Sequence, residues 1–338
     1  MTIELKIIEE PNSNEWDNVV SSSPHGTIFH TWKWLKIVER HTKTVFYPIV
    51  AYQGTNIIAI YPIFLQKKGF INIALSPPPH AYLLYLGPVM VGYENKKLEK
   101  KENLFEQLQR EVDKFLFQHL RCKYSRIRLS PGLYDSRPLR WCGYTVEPLY
   151  TYRTNLERGL DEIWKQFDRK LRVNIDRAVK ENVMIREGEK EDLVLIEKEI
   201  ARRRREQGIE SLDHRSYLNE LHDNYKDHMK IFLAYYQNKL AGGLVALIYG
   251  DTMHLWIGMA KSDIKSIYPN DLVQWEAMKW ANNNGIKWLE SMDGGANRRL
   301  THYKSKWNPE IVIWYSAVKH ASIVYEAGEK LLKMRYQR

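Results

Sequence analysis

Residues 231–260 read IFLAYY, QNK, LAGGLVALIY, GD and TMHLWIGMA in unbroken order, and they indicate the fold more clearly than any other part of the chain. Three runs rich in apolar, β-branched and aromatic residues are separated by two short turns, and this pattern predicts three sequential antiparallel strands. Farther along, Pro269 suits the first turn of a helix and Gly285 suits its left-handed C-terminal cap. The run KWLESM, at residues 287–292, predicts the next strand.

A turn and a basic, aromatic segment follow this strand. Residues 293–307 read DGGANRRLTHYKSKW. A strand edge followed by Gly-rich backbone and fixed cations can hold an anionic group, because backbone N–H groups and ammonium groups both attract negative charge. The sequence therefore predicts that the chemistry of the protein takes place around this segment.

The N-terminal half has a similar plan. A predicted helix at residues 31–40 precedes two β-rich runs, VFYPIVAY and IIAIYPIFL, which a QGTN turn joins into a hairpin. A helix at residues 97–120 and the strand SRIRLS follow. Residues 131–148 are rich in Pro, Gly and Arg and mark a domain boundary. We therefore expect an N-terminal domain at 1–148, a C-terminal domain at 149–316 and a helix at 317–338 that packs back on the first domain.

The second half begins with a run of apolar residues at helical spacing. Steps of three and four separate Trp164, Phe167, Leu171, Ile175 and Ala178, which predicts one amphipathic helix with a buried face. Another helix is predicted at residues 191–207, and IVIWYSAVK predicts the last strand. Both halves thus run hairpin, helix, strand, which indicates two related α/β units.

Composition limits the class of protein. The chain has 338 residues, 44% of them apolar, which is enough to bury a sizeable core in two domains. The two cysteines lack metal-ligand spacing, so we expect neither a disulfide scaffold nor a metal site. The first residues do not resemble a secretory signal and the longest apolar run, 240–249, is too short to span a membrane, so we expect a soluble, cytoplasmic protein without a transmembrane segment.

The formal net charge of +10 favours anionic partners such as RNA, a nucleotide-linked substrate, coenzyme A or a lipid surface. The alternative is that the charge reflects an ordinary basic surface with no specific anionic partner.

The sequence contains no HExxH pair, GxSxG motif or P-loop, which argues against hydrolases and NTPases. The run RRRR at 202–205 ends an amphipathic helix, where cations favour the helix dipole, so it predicts a solvated face rather than an RNA-binding patch.

Several motifs occur in a fixed order over most of the chain. They are WxxF leading into RxNIxxA at residues 164–178, AGG at 241–243, a Pro-started helix that ends in WA and Gly at 269–285, DGG at 293–295, and Tyr303 followed by Lys304. Upstream, TIFHTWKWLKIVERH has an FxT sequence before a Trp-bearing helix. In this order the motifs resemble those of the FemAB-like branch of the GNAT acyltransferase superfamily, which includes acetyltransferases and Fem-type peptidyltransferases.

The resemblance implies an α/β (α+β) fold of two tandem GNAT-like domains, each a mixed, mostly antiparallel sheet flanked by helices. It also implies an acyltransferase that has no tightly bound cofactor and takes its acyl group from acyl-CoA or aminoacyl-tRNA.

The sequence departs from the family pattern in two places. Members that use coenzyme A usually hold its pyrophosphate on a Gly-rich loop, whereas residues 261–271 read KSDIKSIYPND without Gly. Peptidoglycan-bridge members often insert a long coiled-coil arm, whereas only a short helix precedes the hairpin here.

Lys304 and Asp293 are the predicted catalytic residues. By resemblance Lys304 occupies the aromatic-Lys position of the family, and an ammonium group can stabilise the negative charge that develops during acyl transfer. Asp293 can orient Lys304 or accept the proton of the attacking amine. The alternatives are a solvated surface lysine beside Lys306 and an ordinary Asp-Gly-Gly turn.

Three cations are predicted to bind substrate. Arg172, together with Lys170 and Arg177, follows the WxxF motif, and an arginine can grip a phosphate group through two hydrogen bonds. They can hold a nucleotide, a phospholipid or an RNA backbone. The alternative is the charged exterior of a helix.

Three further residues complete the predicted substrate-binding group. Tyr303 belongs to the aromatic-Lys pair, and Asn270 lies at the start of the Pro-led helix. Trp34 is a candidate for lining an acyl or sugar pocket, although large aromatic residues at helical spacing more often pack in a core.

Two functional hypotheses follow. The first is an N-acyltransferase that moves an acyl or aminoacyl group to the amine of an anionic small-molecule, nucleotide-linked or lipid-linked acceptor, with an aminoacyl-tRNA-dependent peptidyltransferase as one form. The second is a non-catalytic protein of the same fold that holds RNA or anionic lipid. A binder predicts no turnover and a steep loss of affinity with salt.

Overall fold

The β-strands of the chain are divided between two units. The computed structural model describes residues 2–9, 12–206, 208, 214–259, 264, 266–292 and 298–322. Unit 1 comprises Met1–Leu149 together with the chain from Ile313 onward, and unit 2 comprises Tyr150–Val312. The predicted domain boundaries at residues 148 and 316 stay a prediction.

Unit 1 contains most of its elements in the first half of the chain. In order they are β1 (Glu4–Ile7), α1 (Ser13–Ser22), α2 (Trp32–Thr42), β2 (Val45–Gln53), β3 (Asn56–Lys68), β4 (Ile71–Ser76), β5 (Val89–Met90), α3 (Leu98–Asp113), β6 (Cys122–Arg128) and α4 (Arg137–Trp141).

Unit 2 begins within the next strand. In order its elements are β7 (Thr145–Asn155), α5 (Leu160–Gln166), α6 (Arg169–Lys180), β8 (Met184–Glu187), α7 (Lys190–Glu206), α8 (Arg215–Tyr225), β9 (Met229–Tyr236), β10 (Lys239–Tyr249), β11 (Thr252–Gly258), α9 (Pro269–Asn283), β12 (Trp288–Ser291) and α10 (Arg298–Ser305). The last strand, β13 (Glu310–His320), returns the chain to unit 1, where it pairs with β6.

The two units share one strand plan. The strand order is β1-β2-β3-β4-β6-β13 in unit 1, with β5 beside β3, and β7-β12-β11-β10-β9-β8 in unit 2. In each unit one pair of neighbouring strands is parallel, β4 with β6 in unit 1 and β11 with β12 in unit 2, among antiparallel neighbours. Parallel neighbours need a crossover, which α3 and α9 provide. The predicted fold class, mixed and mostly antiparallel sheets flanked by helices, is confirmed.

Helices cover both faces of the unit 2 strands. On one face the apolar sides of α6 and α9 pack on the strands, and this core includes Leu171, Ile175, Met253, Leu272 and Leu289. On the other face α7 approaches β10. Within the described part of the chain, no helix is both long and apolar enough to cross a lipid bilayer.

Two helices replace the single helix predicted at residues 164–178. Helix α5 ends at Gln166, Phe167 has an extended backbone, and Asp168 caps α6 by accepting a hydrogen bond from the N–H of Lys170. Phe167 and Leu171 are both buried in one core. Because the apolar spacing continues across the break, periodicity alone does not reveal it.

Three other segments differ from their predicted form. A single helix was predicted at residues 97–120. The α-helix stops at Asp113, and a π-helical segment, Lys114–His119, continues it. The basic, aromatic segment after the turn, for which no helix was predicted, forms α10 over residues 298–305. Residues 317–320 belong to β13, so the predicted C-terminal helix does not start there, and residues 323–338 lie outside the described part.

Candidate functional site

The parallel strands β11 and β12 separate at their carboxyl ends. They pair over three residues, from Thr252 opposite Trp288 to His254 opposite Glu290. Strand β11 then continues to Gly258 beside β10, whereas β12 ends one residue after Glu290. In unit 1 the corresponding strands stay paired over five residues of β4. The carboxyl ends of parallel strands are a common place for a ligand site, so we take the region beyond the last β11–β12 pair in unit 2 as the candidate site and call it the crevice.

The first turn of α9 rests on the backbone of β10. A Cβ atom on Gly242 would lie 2.5 Å from Oδ1 of Asn270. The Asn270 carboxamide accepts a hydrogen bond from the N–H of Gly243 and donates one to the carbonyl of Met259, both at 3.3 Å. On the other face, a Cβ atom on Gly243 would lie 3.2 Å from Cγ1 of Ile196 in α7. The AGG motif therefore lets helices approach β10 from both faces, and Asn270 fixes the start of α9.

A buried carboxyl group joins three helices. Asp271, in the first turn of α9, is only 5% exposed. Nδ2 of Asn174, in α6, donates a hydrogen bond to its Oδ2 at 2.9 Å. The phenol of Tyr303, in α10, donates another, and the charge of Lys306 acts on the same carboxyl group. Helices α6, α9 and α10 thus meet at Asp271.

Burial changes the proton affinity of this pair. Desolvation raises the pKa of Asp271, and the hydrogen bonds from Asn174 and Tyr303 and the charge of Lys306 oppose that rise. Desolvation and the neighbouring Asp271 carboxylate raise the pKa of Tyr303. A carboxylate with a raised pKa is a stronger base than an exposed one. Tyr303 is partly exposed and bonded to this base.

Lys304 lies at the carboxyl end of β12. Its side chain is half-buried, and Nζ donates hydrogen bonds to the carbonyl of Ser291 at 3.2 Å and to the carbonyl of Met292. The ammonium group is therefore held at the end of a strand that forms the crevice. Asp293, its predicted partner, lies outside the described residues.

The three predicted cations of α6 have different surroundings. Lys170 is exposed in the first turn. Arg177 is also exposed, and its Nη1 donates a hydrogen bond to the carbonyl of Ser266 at 3.4 Å. Arg172 is half-buried, and its buried Nε has no hydrogen-bond partner among the described residues. Of the three, Arg172 is the best placed to hold an anion.

Trp34 lies in the core of unit 1. Its side chain is completely buried, and its ring packs edge-on against Phe29 with 5.3 Å between the ring centroids. Phe29 also packs against Tyr85. The structure corrects the prediction of a substrate contact, because the apolar face of α2 turns this ring inward.

A second polar group lies where β11 and β12 separate. Glu290 is completely buried, and Arg153 of β7 and His254 of β11 are its direct neighbours across the strand pairings. Arg153 donates to Oε2 of Glu290 through Nε at 3.1 Å and Nη2 at 3.0 Å, and Thr151 donates to Oε1 at 3.2 Å. Nδ1 of His254 lies 3.6 Å from Oε2. Burial lowers the pKa of His254, which favours its neutral form.

Sequence reasoning missed both buried carboxylates, Asp271 and Glu290. An acidic residue in a first helical turn usually stabilises the helix N-terminus at the surface, so Asp271 gave no signal of burial. Glu290 alternates with the apolar Leu289, as a solvent-facing strand residue does. Their partners, Tyr303 and Arg153, are distant in sequence, and the pairings that join them cannot be read from local pattern.

Residues 165–305 match a family described as an acetyltransferase (GNAT) domain. This range contains the crevice and the residues Asn174, Asp271, Tyr303 and Lys304 around it. The match confirms the predicted class of enzyme, an acyltransferase. No curated protein matches the chain in sequence.

Solved structures share the fold over nearly the whole chain. FemX is 14% identical, with a TM-score of 0.67 over 92% of this chain and 96% of its own. A tandem GNAT protein from the clavulanic acid biosynthesis pathway is 8% identical, with a TM-score of 0.59 over 95% and 99%. L-PGS from Bacillus licheniformis is 12% identical, with a TM-score of 0.58 over 98% of each chain. These similarities confirm the predicted fold of two tandem GNAT-like domains over nearly the whole chain.

Proposed function

We propose that the protein is an N-acyltransferase that moves an acyl or aminoacyl group from an activated donor to the amine of an anionic acceptor. The observation that supports this proposal is the buried Asp271, hydrogen-bonded to the partly exposed Tyr303, in the domain that carries the crevice. An amine that attacks a carbonyl group must lose a proton, and a base with a raised pKa can take it.

Tyr303 and Asp271 form the proposed proton route. The amine nitrogen attacks the acyl carbon, so a C–N bond forms while the C–S or C–O bond to the leaving group breaks. The proton on nitrogen passes to the phenol oxygen of Tyr303 as the phenol proton moves to Asp271. Burial favours the neutral form of Asp271, so this carboxyl group can hold the proton until it passes to the leaving group or to water.

Lys304 and Arg172 have proposed roles in charge stabilisation. The Lys304 ammonium, held by two carbonyl groups at the end of β12, is suited to the negative charge that develops on the acyl oxygen, because a fixed charge needs no reorganisation. The half-buried Arg172 guanidinium is suited to a phosphate group of donor or acceptor. Asp293, next to Met292 in sequence, keeps its proposed role of orienting Lys304.

The donor is proposed to be aminoacyl-tRNA, with acyl-CoA as the alternative. Residues 261–271 contain no glycine, so they cannot form the Gly-rich loop that would hold the pyrophosphate of coenzyme A. This favours aminoacyl-tRNA as the donor. The net charge of +10 suits either donor, as well as an acceptor that carries phosphate. We place the reaction in the cytoplasm.

The test measures transfer of a labelled acyl group from acetyl-CoA, and in parallel from a pool of aminoacyl-tRNA, to primary amines that carry phosphate. The unaltered protein is expected to form product with one donor. Tyr303→Phe removes the proton route and is expected to lower kcat about 100-fold or more. Asp271→Asn is expected to lower kcat similarly, because the amide cannot accept the proton.

Tyr268→Phe is the matched control, since it removes a phenol immediately before α9, outside the Asp271 network, and is expected to keep its activity. Full activity of Tyr303→Phe would rule out the proton route. If the unaltered protein turns over neither donor but binds RNA or anionic lipid with a steep salt dependence, the non-catalytic hypothesis is favoured.

A further inference from the structure

Apolar side chains are exposed at one end of the unit 1 sheet. Phe70 lies at the tip of the hairpin that joins β3 and β4, and its relative exposure is 107%. Ile71, the next residue, is 38% exposed. Val45, the first residue of β2, pairs with Leu65 near the same end of β3 and is 51% exposed. Single exposed apolar residues are ordinary, but a cluster of three at one edge indicates a binding surface.

Cations surround these apolar side chains. Lys67 and Lys68 directly precede the hairpin tip, and Lys43 lies in the turn that leads into β2. Arg121 directly precedes β6, whose first residues pair with the start of β4. All four side chains are exposed. Strand register therefore brings cations from three distant parts of the sequence to the edge that carries Phe70.

No acidic residue occurs in the segments that form this edge. Residues 43–45, 66–72 and 119–123 contain five Lys or Arg residues and no Asp or Glu. Within the described part of the chain, Lys43, Lys67, Lys68 and Arg121 form no ion pair. Their charge is therefore available to an external anion rather than neutralised locally.

We propose that this edge binds the surface of an anionic lipid bilayer. The edge, which we call the basic apolar edge, consists of Lys43, Val45, Lys67, Lys68, Phe70, Ile71 and Arg121. Phe70 and its aliphatic neighbours enter the boundary between headgroups and acyl chains, where burial removes apolar surface from water. The lysines lie at the level of the lipid phosphates, because their long stems let the ammonium groups stay in water.

The apolar members of the edge favour lipid over RNA. Phosphate groups of either ligand can pair with the cations, and a nucleic-acid base can stack on Phe70. Val45 and Ile71 have no flat face for a base, whereas hydrocarbon accommodates all three side chains. The proposal concerns unit 1 and does not depend on the acyl transfer proposed for unit 2.

The test is cosedimentation of the full chain with vesicles. One set contains phosphatidylcholine alone, and the other contains roughly 30% phosphatidylglycerol, an anionic lipid that attracts Lys and Arg. The unaltered protein is expected to bind the anionic vesicles and to release them as the salt concentration is raised.

Variants of the edge test its cations and its aromatic residue separately. The double variant Lys67→Gln, Lys68→Gln is expected to partition about 30-fold less strongly into the anionic vesicles. Phe70→Ala is expected to partition about tenfold less strongly, and Phe70→Trp should restore binding.

Two control variants match these changes in the same unit. Lys97→Gln with Lys100→Gln removes the same charge from exposed positions at the start of α3, and Tyr134→Ala removes an aromatic side chain that is 64% exposed. Neither is expected to change vesicle binding by more than about twofold. Thermal unfolding of every variant should match that of the unaltered protein, because each altered side chain is exposed.

Equal vesicle binding by Phe70→Ala and the unaltered protein would overturn the proposal. An equal loss in the Lys97, Lys100 control would do so too, because it would show that net charge alone drives binding. If homopolymer RNA binds and the Lys67, Lys68 variant loses it while anionic vesicles do not bind, the edge is an RNA surface and the lipid proposal is wrong.

Discussion

At the residue scale, a missing side chain fixes the position of a helix. The carboxamide of Asn270 occupies the space that a Cβ atom on Gly242 would take, and it bridges Gly243 and Met259. The next residue of α9 is Asp271, whose carboxyl group bonds to Asn174 and Tyr303. The contact at Gly242 therefore helps to place the proposed base.

Gly242→Ala is expected to lower the free energy of unfolding by about 1–3 kcal/mol, because its methyl group overlaps the Asn270 carboxamide and must displace it. Urea-induced unfolding measures this loss. Gly258→Ala, in β11, is the matched control, since no heavy atom lies within 4 Å of the added Cβ atom. Equal losses in the two variants would show that the contact with Asn270 is not tight.

At the element scale, three neighbouring strands assemble one buried ion pair. Strands β7, β12 and β11 place Arg153, Glu290 and His254 side by side on one face. Taking a carboxylate out of water is costly unless a cation and hydrogen bonds compensate. Arg153 and Thr151 supply that compensation at the point where β11 and β12 separate.

Glu290→Gln is expected to lower the free energy of unfolding by about 3 kcal/mol, because it removes the buried negative charge that pairs with the partly buried Arg153. Glu310→Gln is the matched control, since Glu310 pairs with Arg158 where both side chains are more than a third exposed. That exposed pair should contribute no more than about 1 kcal/mol. Similar losses in the two variants would contradict a compensated buried charge, and chemical denaturation distinguishes the outcomes.

At the scale of the whole molecule, buried histidines set the response to acid. Burial lowers the pKa of His25 and His30 in unit 1 and of His254 in unit 2. For His30, which is completely buried, the pKa falls to about 4. Each imidazole binds a proton more readily in the unfolded chain, so acid favours unfolding of both units.

The stability that neutral His30 contributes is present above its unfolded pKa of 6.5 and is lost as the pH falls through that value toward about 4. We expect His30 alone to lower the free energy of unfolding by about 2 kcal/mol between pH 7 and pH 5. Denaturation at several pH values measures this slope. His30→Asn should flatten it, whereas His119→Asn, at an exposed position of the same unit, serves as control. An unchanged slope in His30→Asn would contradict this assignment.

Much of the fold follows from local pattern. The hairpin strands around the AGG motif, the start of α9 at Pro269 and the strand after Gly285 all occur as predicted. Each depends on turn chemistry and side-chain alternation within a few residues. The break at Asp168 was not predicted, because it depends on packing against elements that lie elsewhere in the chain. For Trp34 the sequence left core packing and a substrate contact as alternatives, and the structure places the ring in the core.

Local sequence is enough to predict the order and kind of most elements, the resemblance to GNAT enzymes, the positive charge and Lys304 as a candidate catalytic residue. Which carboxylates are buried, and which groups they bond to, follows only from the folded structure. It joined Asp271 to Tyr303 and Glu290 to Arg153, and it brought Lys43 and Arg121 to the edge that carries Phe70. These groupings depend on residues far apart in the chain, whose proximity is set by strand register and helix packing rather than by local sequence.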